Sequence, residues 1–364
     1  MRFPEFSGEW ERKRIRELFA INVGGDIDKK DVNPICTEHF KYPIIANALS
    51  NDGIYGYTSV YKDKAPCITV TGRGDIGKAK YRDTPLYPIV RLLVLHSLGD
   101  VDCLFGEYAI NHIRIYEEST GVPQLTAPQL GAYHIKYPSS EEQMKIGAFL
   151  SLLDKRISTQ NKIIEDLKTL KSAIIEMSYN CAGEMCKIGD LIVQVSKRNK
   201  ENSYPVLSVN NQLGFIEQAD QFEDRTVASE DTSNYKVVST DDFAYNPARI
   251  NVGSIARLKD REKGIVSPMY VCFHTKTKLL PEYMEYFFDT SYFRHEMYKR
   301  LEGSVRLCLS YEGLCNISML LPTIEEQKKL SNRISVIEHK IQLESKILKS
   351  YRQQKTYLLQ QMFI

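Results

Sequence analysis

Residues 71–79, Thr-Gly-Arg-Gly-Asp-Ile-Gly-Lys-Ala, are the stretch of this chain best suited to holding a phosphate. Gly72, Gly74 and Gly77 keep the spacing of a dinucleotide-binding turn, and Gly72 to Lys78 keeps that of a phosphate loop. Both devices use glycine so that backbone N–H groups can close on phosphate oxygens. Two features defeat them. Ala79 stands where a phosphate loop needs a hydroxyl for magnesium, and no helical run follows before Pro85. A nucleotide site is therefore not expected.

The same region of the second half, Asn246-Pro247-Ala248-Arg249-Ile250-Asn251-Val252-Gly253, keeps only the arginine and one glycine. Asn246-Pro247 also opens like the Asn-Pro-Pro-aromatic signature of amino-methyltransferases, but Ala248 and Arg249 fill its last two positions. Glu326-x-Lys328 is half of a nuclease motif without its upstream aspartate, and the seven histidines form no metal-binding pair. No constellation here supports catalysis, so the chain is expected not to be an enzyme by itself.

Both places share a strand end, an arginine, a glycine turn and a basic flank. Arg73, Lys78, Lys80 and Arg82 stand against Asp75, and Arg249, Arg257, Lys259, Arg261 and Lys263 stand against Asp260 and Glu262. Arginine on a glycine-supported turn suits bidentate reading of guanine or clamping of a DNA phosphate. The candidate DNA-binding residues are thus Thr71, Arg73, Lys78, Lys80 and Arg82 in the first half. In the second half they are Asn246, Arg249, Asn251, Arg257 and Lys259. A structural arginine paired with a carboxylate or carbonyl remains the competing reading at Arg73 and Arg249.

The elements that must position these turns are read from an internal repeat. Residues 138–179 and 322–363 align without a gap at an offset of 184, pairing Pro138 with Pro322, Gln143 with Gln327, Lys145 with Lys329 and Lys171 with Lys355. Ser139 with Glu142, and Thr323 with Glu326, have capping-box spacing at a helix start. Ile146, Leu150, Leu153, Ile157, Ile164, Leu167 and Ile174 then form one apolar seam. Leu330, Ile334, Ile337, Ile341, Leu348, Tyr351, Leu358 and Met362 form the other. A seam that narrow faces another helix. Gln160, Lys171, Glu344 and Lys355 interrupt the two seams and are placed to fix register. Each rod of about 38 residues is about 57 Å long at roughly 1.5 Å per residue.

Residues 1–137 and 180–321 repeat more loosely. Ile15–Phe19 matches Ile188–Ile192, Arg73-x-x-x-Gly77 matches Arg249-x-x-x-Gly253, and Gly121-x-x-x-Leu125 matches Gly303-x-x-x-Leu307. Strands are expected at 66–70, 112–116, 236–239 and 266–273, and a helical stretch at 281–301. The fold expected is α+β. Two mixed α/β domains, 1–137 and 180–321, stand in pseudo-twofold arrangement, joined by two long antiparallel coiled-coil helices, 138–179 and 322–364. A homodimeric coiled coil is the alternative pairing.

Bulk composition agrees with a globular chain of two or three domains: 364 residues, 43% hydrophobic and 26% charged, with a formal net charge of +2. Any basic surface must therefore be local. Eight scattered cysteines, with Cys181 and Cys186 the one close pair, suit free thiols in the cytoplasm. No run reaches the roughly 20 apolar residues of a membrane span, and the N-terminal residues show no signal-peptide core.

Duplicated mixed domains, each followed by a helix opening Pro-x-x-Glu-Glu-Gln-x-Lys, resemble the specificity subunit of type I restriction–modification systems. Phe3 to Glu11 and the helix ends at Lys171 to Met177 and Lys355 to Phe363 share the likeness. The resemblance implies two target-recognition domains, each reading half of an asymmetric bipartite site in double-stranded DNA. It also implies spacer helices that set the gap and dock two modification (methyltransferase) subunits, with motor endonuclease subunits joining them. No cofactor is expected on this chain. S-adenosylmethionine, ATP and Mg are expected on the partner subunits. Two other functions stay open, a specificity chain of a methyltransferase-only system and a coiled-coil assembly protein with no DNA role.

Overall fold

The computed structural model describes residues 2–116, 123–179, 183–200, 204–211, 213–218, 231–303 and 306–363. Gly121 and Cys181 lie outside them. The chain forms two compact units. Unit 1 comprises residues 1–161 and 346–364, and unit 2 comprises 162–345. Each unit is thus closed by the first part of one long helix and the last part of the other, and these units cut across a division into recognition and spacer segments.

The two units are assembled from the same parts. In unit 1, strand Glu11–Arg14 pairs antiparallel with His134–Tyr137, and in unit 2 Glu184–Lys187 pairs with Ser318–Leu321. A single helical turn follows in each, Ile15–Leu18 and Ile188–Leu191, with its isoleucine and leucine buried. A four-stranded antiparallel sheet comes next. Its order is Phe19–Val23, Leu93–Ser97, Cys67–Val70, Ala79–Arg82 in unit 1, and Ile192–Val195, Val271–Thr275, Phe243–Tyr245, Ile255–Arg257 in unit 2. A second sheet in each holds one parallel pair, Tyr42–Ile45 with Tyr87–Pro88 and Val206–Asn210 with Lys263–Val266. A parallel pair needs a crossover, and in both units the crossover passes through the four-stranded sheet and its turn-bearing hairpin.

Three sequence expectations are corrected. Residues 112–116 are not a strand. Helix Cys103–Asn111, started by Asp102 accepting from the Phe105 amide, ends there, and strand Ala79–Arg82 takes the sheet edge instead. The apolar run 266–273 is broken between Lys263–Val266 and Val271–Thr275. The helical stretch 281–301 is two helices, Pro281–Phe287 and Ser291–Tyr298, because the Thr290 hydroxyl caps the second.

The long helices run Ser140–Ser178 and Ile324–Met362. Within unit 1 they are antiparallel. Asp154 meets Lys355, and one to two turns on, Asn161 meets Arg352 one turn back along the other helix. Ile146, Leu150, Leu153, Leu358 and Met362 close the unit 1 core, and Ile175, Leu330 and Ile334 close that of unit 2.

Two polar devices recur with the same atoms in both units. The first is the glutamine of the helix-start motif. Gln143, 1% exposed, donates to the carbonyls of Pro138 (2.8 Å) and Asp100 (3.0 Å) and accepts from the Asp102 amide (2.8 Å). Gln327, fully buried, donates to Pro322 (3.0 Å) and Lys278 (3.0 Å) and accepts from Leu280 (2.9 Å). One amide thus satisfies three backbone groups where helix, strand exit and domain loop meet, groups that would be costly to bury unpaired.

The second device sits on the seam. Lys355 pairs with Asp154 (2.5 Å), Tyr108 donates to the same carboxylate (2.8 Å), and the ammonium lies 5.5 Å from the Tyr108 ring centroid. In unit 2, Lys171 pairs with Glu338 (2.7 Å), Tyr286 donates to it (3.3 Å), and the ammonium lies 5.6 Å from that ring. Burial, reinforced by the acceptor carboxylate, drives both phenols well above the ordinary tyrosine range, so each stays a donor at any working pH. Polar groups that match only in one alignment select register. Of the four interruptions read in the seams, Lys171 and Lys355 are thereby explained.

Replacing Gln327 with alanine strands the Pro322 and Lys278 carbonyls and the Leu280 amide. A loss of about 2–4 kcal/mol is expected, read as a lower urea midpoint for unit 2 with its unfolding slope unchanged.

Candidate nucleic-acid interface

The hairpin between the third and fourth strands of each four-stranded sheet carries the arginine turn. Strand Cys67–Val70 is wholly buried and delivers the turn to the surface. Thr71, itself buried, accepts from the Lys78 amide and donates to the Asp75 carbonyl. It braces the loop from inside. Gly77 takes φ +79°, and a Cβ there would lie 2.6 Å from Ile115, so glycine is required on two counts. Arg73 is half-buried and donates to Gln124 (3.1 Å). Lys78 is exposed and, among the described residues, its side chain makes no hydrogen bond or ion pair. Lys80 pairs with Asp52 (3.3 Å). Arg82 donates to the Thr69 hydroxyl and the Asp52 carbonyl, with its pKa lowered by burial.

Unit 2 divides its candidates more sharply. Asn246 is buried, its side-chain oxygen accepting from the Ala248 amide. The Asn251 carbonyl accepts from Tyr298 (3.5 Å). Arg257, with a side chain 9% exposed, is held by Asp241, Glu282 and Glu285 at 2.9, 2.5 and 3.1 Å. Burial pulls its pKa down, but the carboxylates outweigh that and the net shift is upward. Lys259 pairs with Glu285 (2.5 Å), Arg261 with Glu217 (2.8 Å), and Lys263 lies 4.0 Å from Glu262. The basic flank is therefore mostly neutralised by partners that only the fold brings near. Arg249 differs: it is exposed, heads the single turn Ile250–Val252, and among the described residues its side chain makes no hydrogen bond or ion pair. Gly253 closes that turn at φ +88°.

Of the ten candidates, Lys78 and Arg249 are exposed and Arg73 is half-buried with its Nε enclosed, and among the described residues no carboxylate meets the charge of any of the three. Thr71, Arg82, Asn246 and Arg257 are committed to structure. The fold adds one residue that sequence reading missed. Val90 and Arg91 take φ of +53° and +59°, which side-chain-bearing residues seldom adopt. Asn47 holds this turn to the arginine loop, accepting from the Gly72 amide and donating to the Val90 carbonyl, and the Arg91 carbonyl abuts Gly72. Exposed Arg91 thus stands beside the Arg73 loop. Nothing local marks it, because its conformation is imposed by the loop that it supports. No group of His, Cys, Asp or Glu among the described residues is arranged to hold a metal ion.

With this geometry in view, comparison with known proteins is decisive. A sequence model described as "Type I restriction modification DNA specificity domain" matches residues 7–169. A C-terminal putative type I specificity subunit of Mycoplasma pneumoniae is 32% identical over 97 residues, which are 27% of this chain and 67% of that protein. The chain belongs to the type I specificity-subunit family. A putative type I specificity subunit of the same organism is 31% identical over 133 residues, 36% of each chain. The matched part is thus little more than a third of that relative's length. A type I restriction enzyme specificity subunit of Methanocaldococcus jannaschii is 26% identical over 261 residues, 63% of this chain and 61% of that one. The fold agrees. A type I S subunit from M. genitalium superposes with a TM-score of 0.67 at 16% identity, covering 100% of this chain and 99% of the other.

Because Asp241, Glu282 and Glu285 hold the buried Arg257 guanidinium in this chain, its loss should act on stability. Arg257→Ala is expected to cost unit 2 about 1–3 kcal/mol, the loss of charged hydrogen bonds that a buried guanidinium gives to three partly exposed carboxylates, measured by thermal unfolding.

Proposed function

We propose that this chain is the DNA-reading subunit of a type I restriction–modification complex, each unit reading one half of an asymmetric bipartite target. The observation that carries this reading is the pair of arginine turns, with Arg73 half-buried and Arg249 exposed. They stand at the same point of the same sheet in two copies of one fold. Their surroundings differ: Lys78 and Arg91 flank the first, and the second stands with its basic neighbours neutralised. Unequal surfaces on equal scaffolds suit two different half-sites. Direct base readout by arginine contributes about 1–3 kcal/mol per bidentate pair.

The long helices act as the spacer. A rod of about 57 Å caps half-site separation at about 17 base pairs at roughly 3.4 Å each, and the two tyrosine–carboxylate–lysine sites hold its register. Large apolar side chains also stand exposed outside the seam, Leu152, Ile163, Leu170, Val336, Leu343 and Ile347. Residues of that kind favour docking of the modification subunits. In this reading those subunits hold S-adenosylmethionine and methylate adenine, and motor subunits use ATP and Mg.

The test is a map of methylated adenines in the source genome with and without the gene. Loss of one asymmetric bipartite motif is the expected result, and no lost motif would sink the reading. In the assembled complex, Arg249→Ala should weaken DNA binding and either relax one half-site or lower the salt slope by about 0.9. Adding four residues at both Gln160 and Glu344 should lengthen the tolerated gap by about two base pairs.

A further inference from the structure

The repeat is broken at one surface, the outer side of each long helix near its start. In unit 1 that surface is covered by the chain's own residues 2–8. Arg2 makes a bidentate pair with Glu142, at 2.7 and 2.5 Å, and Glu142 is fully buried by it. Phe3 meets Phe149 edge-on at 5.9 Å, and Lys145 lies 4.6 Å from the Phe3 ring and 5.9 Å from that of Phe6. Lys145 also pairs with Glu5.

At the offset of 184, Glu142, Lys145 and Phe149 become Glu326, Lys329 and Arg333 in unit 2. There a groove of about 280 Å³ is lined by these three together with Tyr283, Leu320 and Leu330. Among the described residues of unit 2, none covers Glu326, Lys329 and Arg333 as residues 2–8 cover their equivalents in unit 1. Glu326 is exposed, with Oε2 engaged only in capping Thr323, whereas its equivalent is sealed beneath arginine. Lys329 and Arg333 are exposed and, among the described residues, their side chains make no hydrogen bond or ion pair.

We propose that this groove docks a partner-protein segment bearing an arginine followed by aromatic residues and a carboxylate, seated as Arg2–Phe6 is seated in unit 1. Each feature of the covering segment meets a counterpart. The arginine reaches the free Glu326 oxygen, the carboxylate meets Lys329, and Arg333 replaces the Phe149 edge with a guanidinium that stacks on an aromatic face. Leu320 and Leu330 supply the apolar floor. A second copy of this chain is the poorer occupant, because its own segment is already held in unit 1 at high effective concentration. The inference needs neither DNA nor methylation, since it rests on the comparison of the two units.

The probe is an N-acetylated peptide of residues 2–9, Arg-Phe-Pro-Glu-Phe-Ser-Gly-Glu, carrying a C-terminal fluorophore. It is titrated against the full chain by anisotropy. Saturable binding is expected, weakened about tenfold or more by Lys329→Glu with Arg333→Glu and unchanged by Lys145→Glu. Arg333→Glu alone repeats the test if the double variant loses its circular-dichroism spectrum. Absence of saturable binding overturns the proposal. So does a loss caused equally by Lys145→Glu, which would mean that the peptide had displaced the chain's own segment from unit 1.

Discussion

A helix with one narrow apolar seam cannot persist alone in water, and everything else in this protein follows from how two such helices are paired. Each is 39 residues long, far beyond what a small domain needs to complete its core. Each contributes its start to one unit and its end to the other, so neither core closes until both helices are present. Apolar side chains alone would allow the seam to slip by a heptad. The carboxylates at Asp154 and Glu338, each gripped by a tyrosine and a lysine, allow one alignment.

The glutamine at each helix start does the complementary work. A helix beginning against a buried loop has amides and carbonyls to satisfy, and a serine or threonine cap reaches only those of its own first turn. Gln143 and Gln327 instead bridge the loop before the helix to a distant segment of the domain, tying helix direction to domain orientation within each unit. The capping role expected of the neighbouring glutamate is realised only at Glu326. Glu142 is drawn to Arg2, because a bidentate ion pair on a buried carboxylate outweighs a surface cap.

This division of labour frees the hairpin turns from holding the fold. Glycines keep both loop shapes, with the Thr71 hydroxyl bracing the first, and exposed Arg249 carries less structural duty than half-buried Arg73, which is held by Gln124. Basic residues closer to the sheet are different. Arg82 and Arg257 are spent on carbonyls and carboxylates, and substituting them would damage the scaffold before it touched any ligand.

The sequence by itself determined the duplication, the two long helices and their seams, and the equivalence of the Arg73 and Arg249 turns. These are local periodicities and fixed offsets, and local pattern is all that a single chain displays. It also marked Lys171 and Lys355 as polar breaks with a register role, without naming their partners. What only the tertiary structure decided is which charges remain available. Ten candidate residues looked alike as polar side chains near glycine turns. Asp241, Glu282 and Glu285 removed Arg257, the Asp52 carboxylate engaged Lys80 and the Asp52 carbonyl accepted from Arg82, and Asn47 added Arg91. The strand misread at 112–116 has the same cause, since a β-branched run beside a buried helix end satisfies the pattern without finding a sheet edge. Electrostatic neutralisation acts across a few ångströms of space between residues far apart in the chain, and no spacing within the sequence records that distance.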